Sequence, residues 1–463
     1  MRALQRLFLT FLSLTVSITG CNSLDDAGPT GLEEATYPQS FQGSEPVRDM
    51  KADQHWGMTE SIGEIDGYNE PTRIDPNFET RYVLLPVFGQ ASSIPWTDTY
   101  WPRNKGGISH RWQTDEAHTY VSPTFDELRA MSPEEINKLS PTEKYDIFAG
   151  NYDYTLTLRI KSGNKPTEAG WTGYCHGWTM ASIHFEEPRP VTLTNADGIT
   201  VTFGSSDIKA LLTYFQGEVV RTTYSKYEMP FKAEITTVGT LCGSSNPIDR
   251  GCVDSNPGAF HVVMANMLGK QGKAFGIDAD NKYEKWNHPV HKFRSQNLGS
   301  FEPSVGASSE AVEELLIVSE VTYTIEIQPQ WDMTNGTDKH ADKTKAYAYT
   351  LELNKDGEII GGQWVHRLED GAYMTLTEVY EYFRTLDENG DGNPDVTEDQ
   401  LKESVWHYFD FPDYVWYQEK GEFSDTFEQP ASSYTLMANT KSSRKILYDY
   451  FAKLGDIYRA ATP

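Results

Sequence analysis

The stretch WTGYCHGWTMA, residues 171–181, brings a cysteine to the point where a glycine-bearing loop becomes a helix. At a helix N-terminus, unpaired backbone N–H groups and the helix dipole favour the thiolate over the thiol. Cys175 is therefore predicted to be a nucleophile, with a helix continuing over residues 178–185. An inert buried thiol is the alternative interpretation of a single cysteine, and it stays open on this feature alone.

A cysteine nucleophile needs a base from elsewhere in the chain, and His261 is the candidate. We expect a buried β-hairpin over residues 260–278, in which His261 opens the first strand. Reflection through the glycine-bearing turn then brings the imidazole close to Asp278 or Asp280, and Asp278 is the preferred partner. His176 is the rival base. Because adjacent helical residues do not face each other, we expect it to have an oxyanion or packing role instead.

Local signals along the rest of the chain alternate between helix and strand, without regular βαβ order. Two Ser-Pro-x-Glu capping boxes, at residues 132–135 and 140–143, predict two short helices. Alternating β-branched and aromatic residues predict antiparallel sheet from about residue 315 onward. Further predicted elements are a hairpin at 191–203, a helix at 206–214 and strands at 321–327, 347–353 and 358–365. The expected fold class is α+β.

Charge and composition limit the classes of function. The 463 residues include 40 Lys and Arg against 67 Asp and Glu, which gives a formal net charge of −27. Such a field repels phosphate backbones, so we expect no nucleic-acid partner. With 38% hydrophobic residues, the chain has the composition of a globular protein with a sizeable core.

The N-terminal residues have the pattern of an export signal. Two arginines precede an apolar run at residues 7–18, and small residues stand directly before Cys21. This order resembles a bacterial lipoprotein signal, which implies removal of residues 1–20 and a lipid anchor on Cys21. An ordinary secretory signal is the alternative, and both export the protein. By the same resemblance, Asn22 implies an outer-membrane lipoprotein that contacts the membrane only through its lipid. The polar residues that follow predict an irregular tether over residues 21–79.

Three cysteines remain after the anchor. Cys242 and Cys252 are separated by turn-rich sequence that brings two sulfurs together, so we expect a disulfide between them. Cys175 is then left as a free thiol, in agreement with a nucleophilic role.

Residues 387–398, DENGDGNPDVTE, match the twelve-position pattern of an EF-hand calcium loop. The flanking residues have the helical periodicity that such a loop requires. Pro394 departs from the usual apolar residue at the eighth position, and a solvated acidic turn is the alternative. The predicted Ca²⁺ ligands are Asp387, Asn389, Asp391, the backbone carbonyl of Asn393, Asp395 through water, and Glu398.

A later segment, WNHPVHKF at residues 286–293, resembles the WNQPVRGF surface peptide of the transglutaminase elicitor family of oomycete plant pathogens and bacteria. Trp286, Asn287, Pro289, Val290 and Phe293 agree with that peptide, whereas His288, His291 and Lys292 depart from it. The departures affect elicitor recognition rather than the scaffold. Similar segments lie at 95–102, 139–145 and 207–212, so the resemblance extends from about residue 80 to about residue 440.

The resemblance implies a papain- or transglutaminase-like Cys-His-Asp core over residues 80–312, followed at 313–463 by an antiparallel β region and an EF-hand-like helical segment. It implies a protein-glutamine γ-glutamyltransferase that joins a glutamine donor and a lysine or amine acceptor in protein substrates. In that reaction Cys175 forms a thioester, His261 moves the proton and Asp278 fixes its tautomer. Two alternatives stay open: a papain-like cysteine peptidase, which uses the same acyl-enzyme, and a non-catalytic calcium-binding surface module.

Overall fold

A computed structural model of the chain describes residues 64–65, 67, 69–221, 233–239, 255–279, 285–304, 307–367, 373–375, 411–437 and 440–462. Several sequence predictions lie outside these ranges. They are the signal peptide at 1–20, the cysteines at 21, 242 and 252, the alternative carboxylate Asp280, and the calcium loop at 387–398 with its ligands. Among the described helices, none is both long and apolar enough to span a membrane.

Most of the described helices pack together on one side of the sheet and are called the helical layer below, whereas the helix Pro257–Met264 packs in the other core. Their bounds are α1 Phe125–Ala130, α2 Pro133–Asn137, α3 Pro141–Phe148, α4 Thr155–Gly163, α5 Cys175–His184, α6 Ser205–Tyr214, α7 Pro257–Met264, α8 Ser433–Met437, α9 Lys441–Tyr450 and α10 Ala452–Ala461. Wider π-type turns continue two of them, over Phe215–Val219 after α6 and Ala265–Lys270 after α7. Short 3₁₀ turns lie at Pro71–Arg73, Tyr82–Leu84, Arg103–Lys105 and Gly107–Ser109.

The described strands form an antiparallel sheet and a separate hairpin. Their bounds are β1 Phe88–Gln90, β2 Val191–Thr194, β3 Thr200–Phe203, β4 Ile235–Gly239, β5 Phe275–Asp278, β6 Asn287–Phe301, β7 Glu313–Thr324, β8 Asp342–Leu353, β9 Ile359–Gly361, β10 Trp364–Arg367, β11 Tyr373–Thr375 and β12 Tyr414–Gln418. The sheet order is β11-β10-β8-β7-β6-β5-β12-β4, with β1 on β6 and β9 on β8, while β2 and β3 pair with each other.

Helix α5 lies between the sheet and the helical layer. Trp178 and Ala181 of α5 are buried in the core that the helical layer forms with β2 and β3. Met180, on another side of α5, packs against Tyr414 and Trp416 of β12. A separate apolar core lies on the opposite face of the sheet, against α7. The start of α5 is therefore held at the interface between the sheet and the helices.

Most local predictions are confirmed. Ser132 and Ser140 cap α2 and α3 in reciprocal capping boxes with Glu135 and Glu143. The predicted hairpin at 191–203 and the helix at 206–214 are present as β2–β3 and α6. The predicted strands after residue 315 are found within β7, β8, β9 and β10.

The predicted hairpin strand at 260–268 is wrong, because residues 257–264 form helix α7. The Asn256 side chain accepts hydrogen bonds from the N–H groups of Gly258 and Ala259, and Pro257 occupies the first helical turn. Every residue of α7 is buried, so the helix has no polar face. A short apolar run of this kind has the same appearance in a buried strand and in a buried helix. The second predicted strand is present as β5.

Two structural features lie at the predicted domain boundaries. The sheet continues across residue 312, because β6 and β7 pair from Val290↔Tyr323 to Phe301↔Glu314. Near residue 79, where the tether is predicted to end, Phe78 is buried in the sheet core and the Glu79 N–H donates to Asn266 Oδ1 at 3.0 Å. Long-range pairing of this kind is set by tertiary contacts, which composition does not reveal.

Candidate active site

The loop before Cys175 is fixed by close backbone packing. The Tyr174 N–H donates to the Tyr100 carbonyl at 2.6 Å. A Cβ on Gly173 would lie 2.5 Å from the same carbonyl and from the Tyr100 ring, so only glycine fits there. Cys175 is consequently the first residue of α5, as the sequence predicts.

The Cys175 thiol is enclosed by the segment that leads into β6. Its S–H donates to the Lys285 carbonyl, with Sγ 3.4 Å from the oxygen. The Asn287 side-chain amide donates to Sγ at 3.6 Å. Asn287 is itself held on both sides, because its Oδ1 accepts from the Tyr414 hydroxyl at 3.0 Å and its carbonyl accepts from Thr179 of α5 at 2.8 Å.

A row of polar side chains crosses the sheet beneath the thiol. Asp278 of β5 pairs with Asn287 of β6. Tyr414 of β12 is the next residue in the β5–β12 register, after Val415↔Ile277. Asp278 is fully buried, and its Oδ1 accepts from the Trp286 N–H at 2.7 Å. Since side chains alternate between faces, these residues share the sheet face that α5 covers.

The electrostatic surroundings of Cys175 disfavour the thiolate. Burial raises the pKa of the thiol to about 11, and the negative charges of Glu326 and Asp278 act in the same direction. Hydrogen bonds from the backbone and side chain of Asn287 oppose this rise. The predicted helix N-terminus is present, and burial is the largest cause of the raised pKa of the thiol.

The structure does not bring His261 to Cys175. His261 lies on α7, and its Nδ1 is 2.8 Å from the Tyr349 hydroxyl. Helix α7 belongs to the apolar core with Ile277 and Val415, which face away from α5. The sheet therefore separates the two predicted catalytic residues, and the proposed contact between His261 and Asp278 is not formed either. Burial alone lowers the pKa of His261 to about 4.

The His176 side chain contacts Glu218. Its Nε2 lies 3.2 Å from Glu218 Oε1, in the turn that follows α6. Arg103 lies 3.7 Å from the same carboxylate. His176 therefore points away from the thiol toward an acidic partner, as its position next to Cys175 on one helix predicts.

The comparisons with known proteins agree with the sequence motifs. A family model described as Transglutaminase elicitor matches residues 161–373. The resemblance to this family is confirmed. The fold is similar to the crystal structure of the GP42 transglutaminase from Phytophthora sojae, with a TM-score of 0.53 and 19% sequence identity over 86% of this chain and 99% of that chain. No curated protein matches the chain.

Two polar residues of the site were missed by the search for catalytic residues in the sequence. Asn287 lies in the segment that carries the resemblance to the transglutaminase elicitor family, so that motif was a usable signal. Tyr414 comes more than a hundred residues later and outside the matched region. Only the pairing of β12 with β5 places it beside Asn287.

The described part of the chain offers no metal centre. None of its groups of three or more His, Cys, Asp and Glu side chains is arranged to hold a metal ion. His291 and His340 share a single carboxylate, Asp342, at 3.1 and 3.0 Å. The predicted calcium ligands lie outside the described residues.

Proposed function

We propose that this protein is an exported protein-glutamine γ-glutamyltransferase that acts through a thioester at Cys175. The observation that supports this proposal best is the contact of the Cys175 thiol with Asn287, which lies in the family motif. The family match includes Cys175, Asp278 and Asn287. A cysteine at a helix start, facing an amide donor and a buried carboxylate, has the parts that acyl transfer needs.

In the proposed reaction, Cys175 Sγ attacks the carboxamide carbon of a glutamine side chain. The C–N bond breaks, and ammonia leaves with the proton that the thiol gives up. A primary amine then attacks the thioester, which forms the isopeptide bond and returns a proton to sulfur. The Asn287 amide and the Cys175 backbone N–H are the donors that we assign to the developing oxyanion.

We assign the proton transfer to Asp278 rather than to His261. Asp278 shares the sheet face with Asn287, and its charge acts directly on Cys175. A histidine that acts as a base becomes a positively charged imidazolium when it takes up the proton. Burial disfavours this charged form of His261. A buried carboxylate that takes up a proton loses its charge, so its burial favours the transfer.

The test is incorporation of a fluorescent primary amine into a glutamine-rich protein by the mature chain, beside Cys175→Ala. We expect incorporation by the wild type and none by the variant. Cys175-dependent fragments without incorporation would identify a cysteine peptidase. Neither product from a folded protein would contradict catalysis and favour a binding module.

Calcium binding at residues 387–398 is proposed on the sequence pattern. Terbium luminescence of the full chain, compared with Glu398→Gln, measures it directly, because that substitution removes the bidentate ligand. The same amine-incorporation assay with and without Ca²⁺ tests whether the ion affects transfer. Equal terbium signals from both proteins would contradict the loop assignment.

Export as an outer-membrane lipoprotein is also a proposal. Mass spectrometry of the mature N-terminus would detect a lipid-modified Cys21, and Cys21→Ala is expected to release the protein from the membrane fraction. An oxidising compartment would further permit the Cys242–Cys252 disulfide, which a peptide map without reduction would detect.

A further inference from the structure

The peptide Lys285–Trp286 covers the nucleophile. The Lys285 carbonyl oxygen lies 3.4 Å from Cys175 Sγ and accepts a hydrogen bond from its S–H group. Cys175 as a whole is only 5% exposed. Among the described residues, the Lys285 carbonyl therefore lies where a glutamine side chain would have to approach the thiol.

The cover, residues Lys285 and Trp286, is held by two hydrogen bonds and one aromatic contact. The Trp286 N–H donates to Asp278 at 2.7 Å, and its carbonyl accepts from the Ala279 N–H at 3.1 Å. The Trp286 ring meets the Tyr100 ring edge-on, with centroids 5.5 Å apart. Tyr100 belongs to the loop that fixes the start of α5, so the aromatic contact joins the cover to the nucleophile's own support.

We propose that the Lys285 carbonyl occupies the subsite of the donor carboxamide, and that a glutamine-bearing chain binds by displacing Lys285–Trp286 from Cys175. This inference rests on the proposed transferase function. The reacting carboxamide carbon must come to about 3–3.5 Å from the sulfur. The Lys285 carbonyl, whose oxygen lies 3.4 Å from Sγ, already occupies space next to the sulfur that the carboxamide needs. Trp286 is a positioning residue here, because its ring must leave Tyr100 for the peptide to move.

Displacement of the cover also changes the thiol. Burial is the main reason that its pKa is raised, and loss of the Lys285 carbonyl removes an acceptor that holds the proton on sulfur. The Asn287 donors, which favour the thiolate, lie in β6 beyond the moving peptide. Substrate binding would thus expose and activate the nucleophile in one step.

The test measures how fast iodoacetamide alkylates Cys175 in the full mature chain, by mass spectrometry of the Cys175 peptide. Trp286→Ala is expected to raise the rate about tenfold, the size of effect that loss of an aromatic pair allows in a local opening equilibrium. Trp286→Phe keeps a ring against Tyr100 and is the matched control, with a rate near that of the wild type.

Tyr100→Ala should accelerate alkylation to a similar extent, and the double variant should add little, because both remove one contact. In the transfer assay, Trp286→Ala should lower the KM for a glutamine donor and leave the KM for the amine unchanged. An unchanged alkylation rate in folded Trp286→Ala would overturn the inference. Faster alkylation with no amine incorporation by any protein would instead reject the transferase function, and with it the donor subsite.

Discussion

The two faces of the central sheet give their buried titratable groups different neighbours. On the face toward α5, Cys175, Asn287, Asp278 and Tyr414 form one connected polar row. On the face toward α7, His261 stands among apolar and aromatic residues with the Tyr349 hydroxyl as its polar partner. The first face places several polar groups next to one another, whereas on the second the imidazole of His261 has one hydroxyl as its hydrogen-bond partner among the described residues.

This difference bears on which residues do chemistry. A general base must be stable in both protonation states, at least transiently. On the α7 face no described carboxylate shifts the pKa of His261, and burial penalises its cation. In the proposed mechanism His261 therefore has a packing role and the polar row has the catalytic role, and each of the following substitutions tests one side of this comparison.

The largest effect is expected from Asp278→Asn. Removal of the proposed proton acceptor should lower kcat/KM for amine incorporation about 10²- to 10⁴-fold. Removal of its charge should at the same time shift the pH profile of Cys175 alkylation to lower pH, because that charge raises the pKa of the thiol. If Asp278 had a purely structural role, its substitution would not both lower kcat/KM and shift the pH profile of alkylation. Asp356→Asn, at an exposed turn, is the control and should change neither.

The substitution Asn287→Ala should have the next largest effect on activity. Loss of one oxyanion donor costs about 10²- to 10³-fold in kcat. The measurement is kcat with a saturating glutamine donor, beside Asn297→Ala on an exposed position of the same strand. Activity within a few-fold of the wild type would remove Asn287 from the proposed mechanism.

His261→Gln should affect stability rather than catalysis. The substitution disturbs the buried 2.8 Å contact with Tyr349 and the packing around it, which we expect to cost about 2–3 kcal/mol in urea unfolding. Activity per folded molecule should stay near that of the wild type. A loss of kcat of a hundredfold or more in folded protein would restore His261 as the base.

The stability difference between wild type and His261→Gln should also depend on pH. The pKa of His261 falls from 6.5 to about 4 on folding, so between these values the unfolded chain binds more protons. The contribution of neutral His261 is complete above pH 6.5 and is lost as the pH falls toward 4, by up to about 1.4 kcal/mol per pH unit. Unfolding curves of both proteins at several pH values measure it. A pH-independent difference would mean that His261 is not enclosed as a neutral ring.

The smallest effect is expected from Tyr414→Phe. It removes the hydroxyl that orients the Asn287 amide, a hydrogen bond worth about 1 kcal/mol or roughly fivefold in kcat/KM. Tyr417→Phe on the same strand is the control. A change as large as that of Asn287→Ala would show that Tyr414 acts on the substrate directly.

Local chemistry explains which parts of the fold were predictable. The capping boxes at Ser132 and Ser140 were correct because each depends on residues within one helical turn. The hairpin of β2 and β3 was correct for the same reason, since Asn195 and Gly198 form its turn locally. Helix α7 was misassigned because a fully buried helix shows no periodicity, although Asn256-Pro257 was a usable start signal.

The sequence by itself determined the helix start at Cys175 and the resemblance to the transglutaminase elicitor family, because each depends on a short run of residues around Cys175 or Asn287. Only the tertiary structure decided which groups meet the thiol. Asp278, Asn287 and Tyr414 come together through strand register, and His261 is taken away because α7 packs on the opposite face of the sheet. Register and facing depend on long-range packing, whose free energy is shared among many residues and is not carried by any local motif.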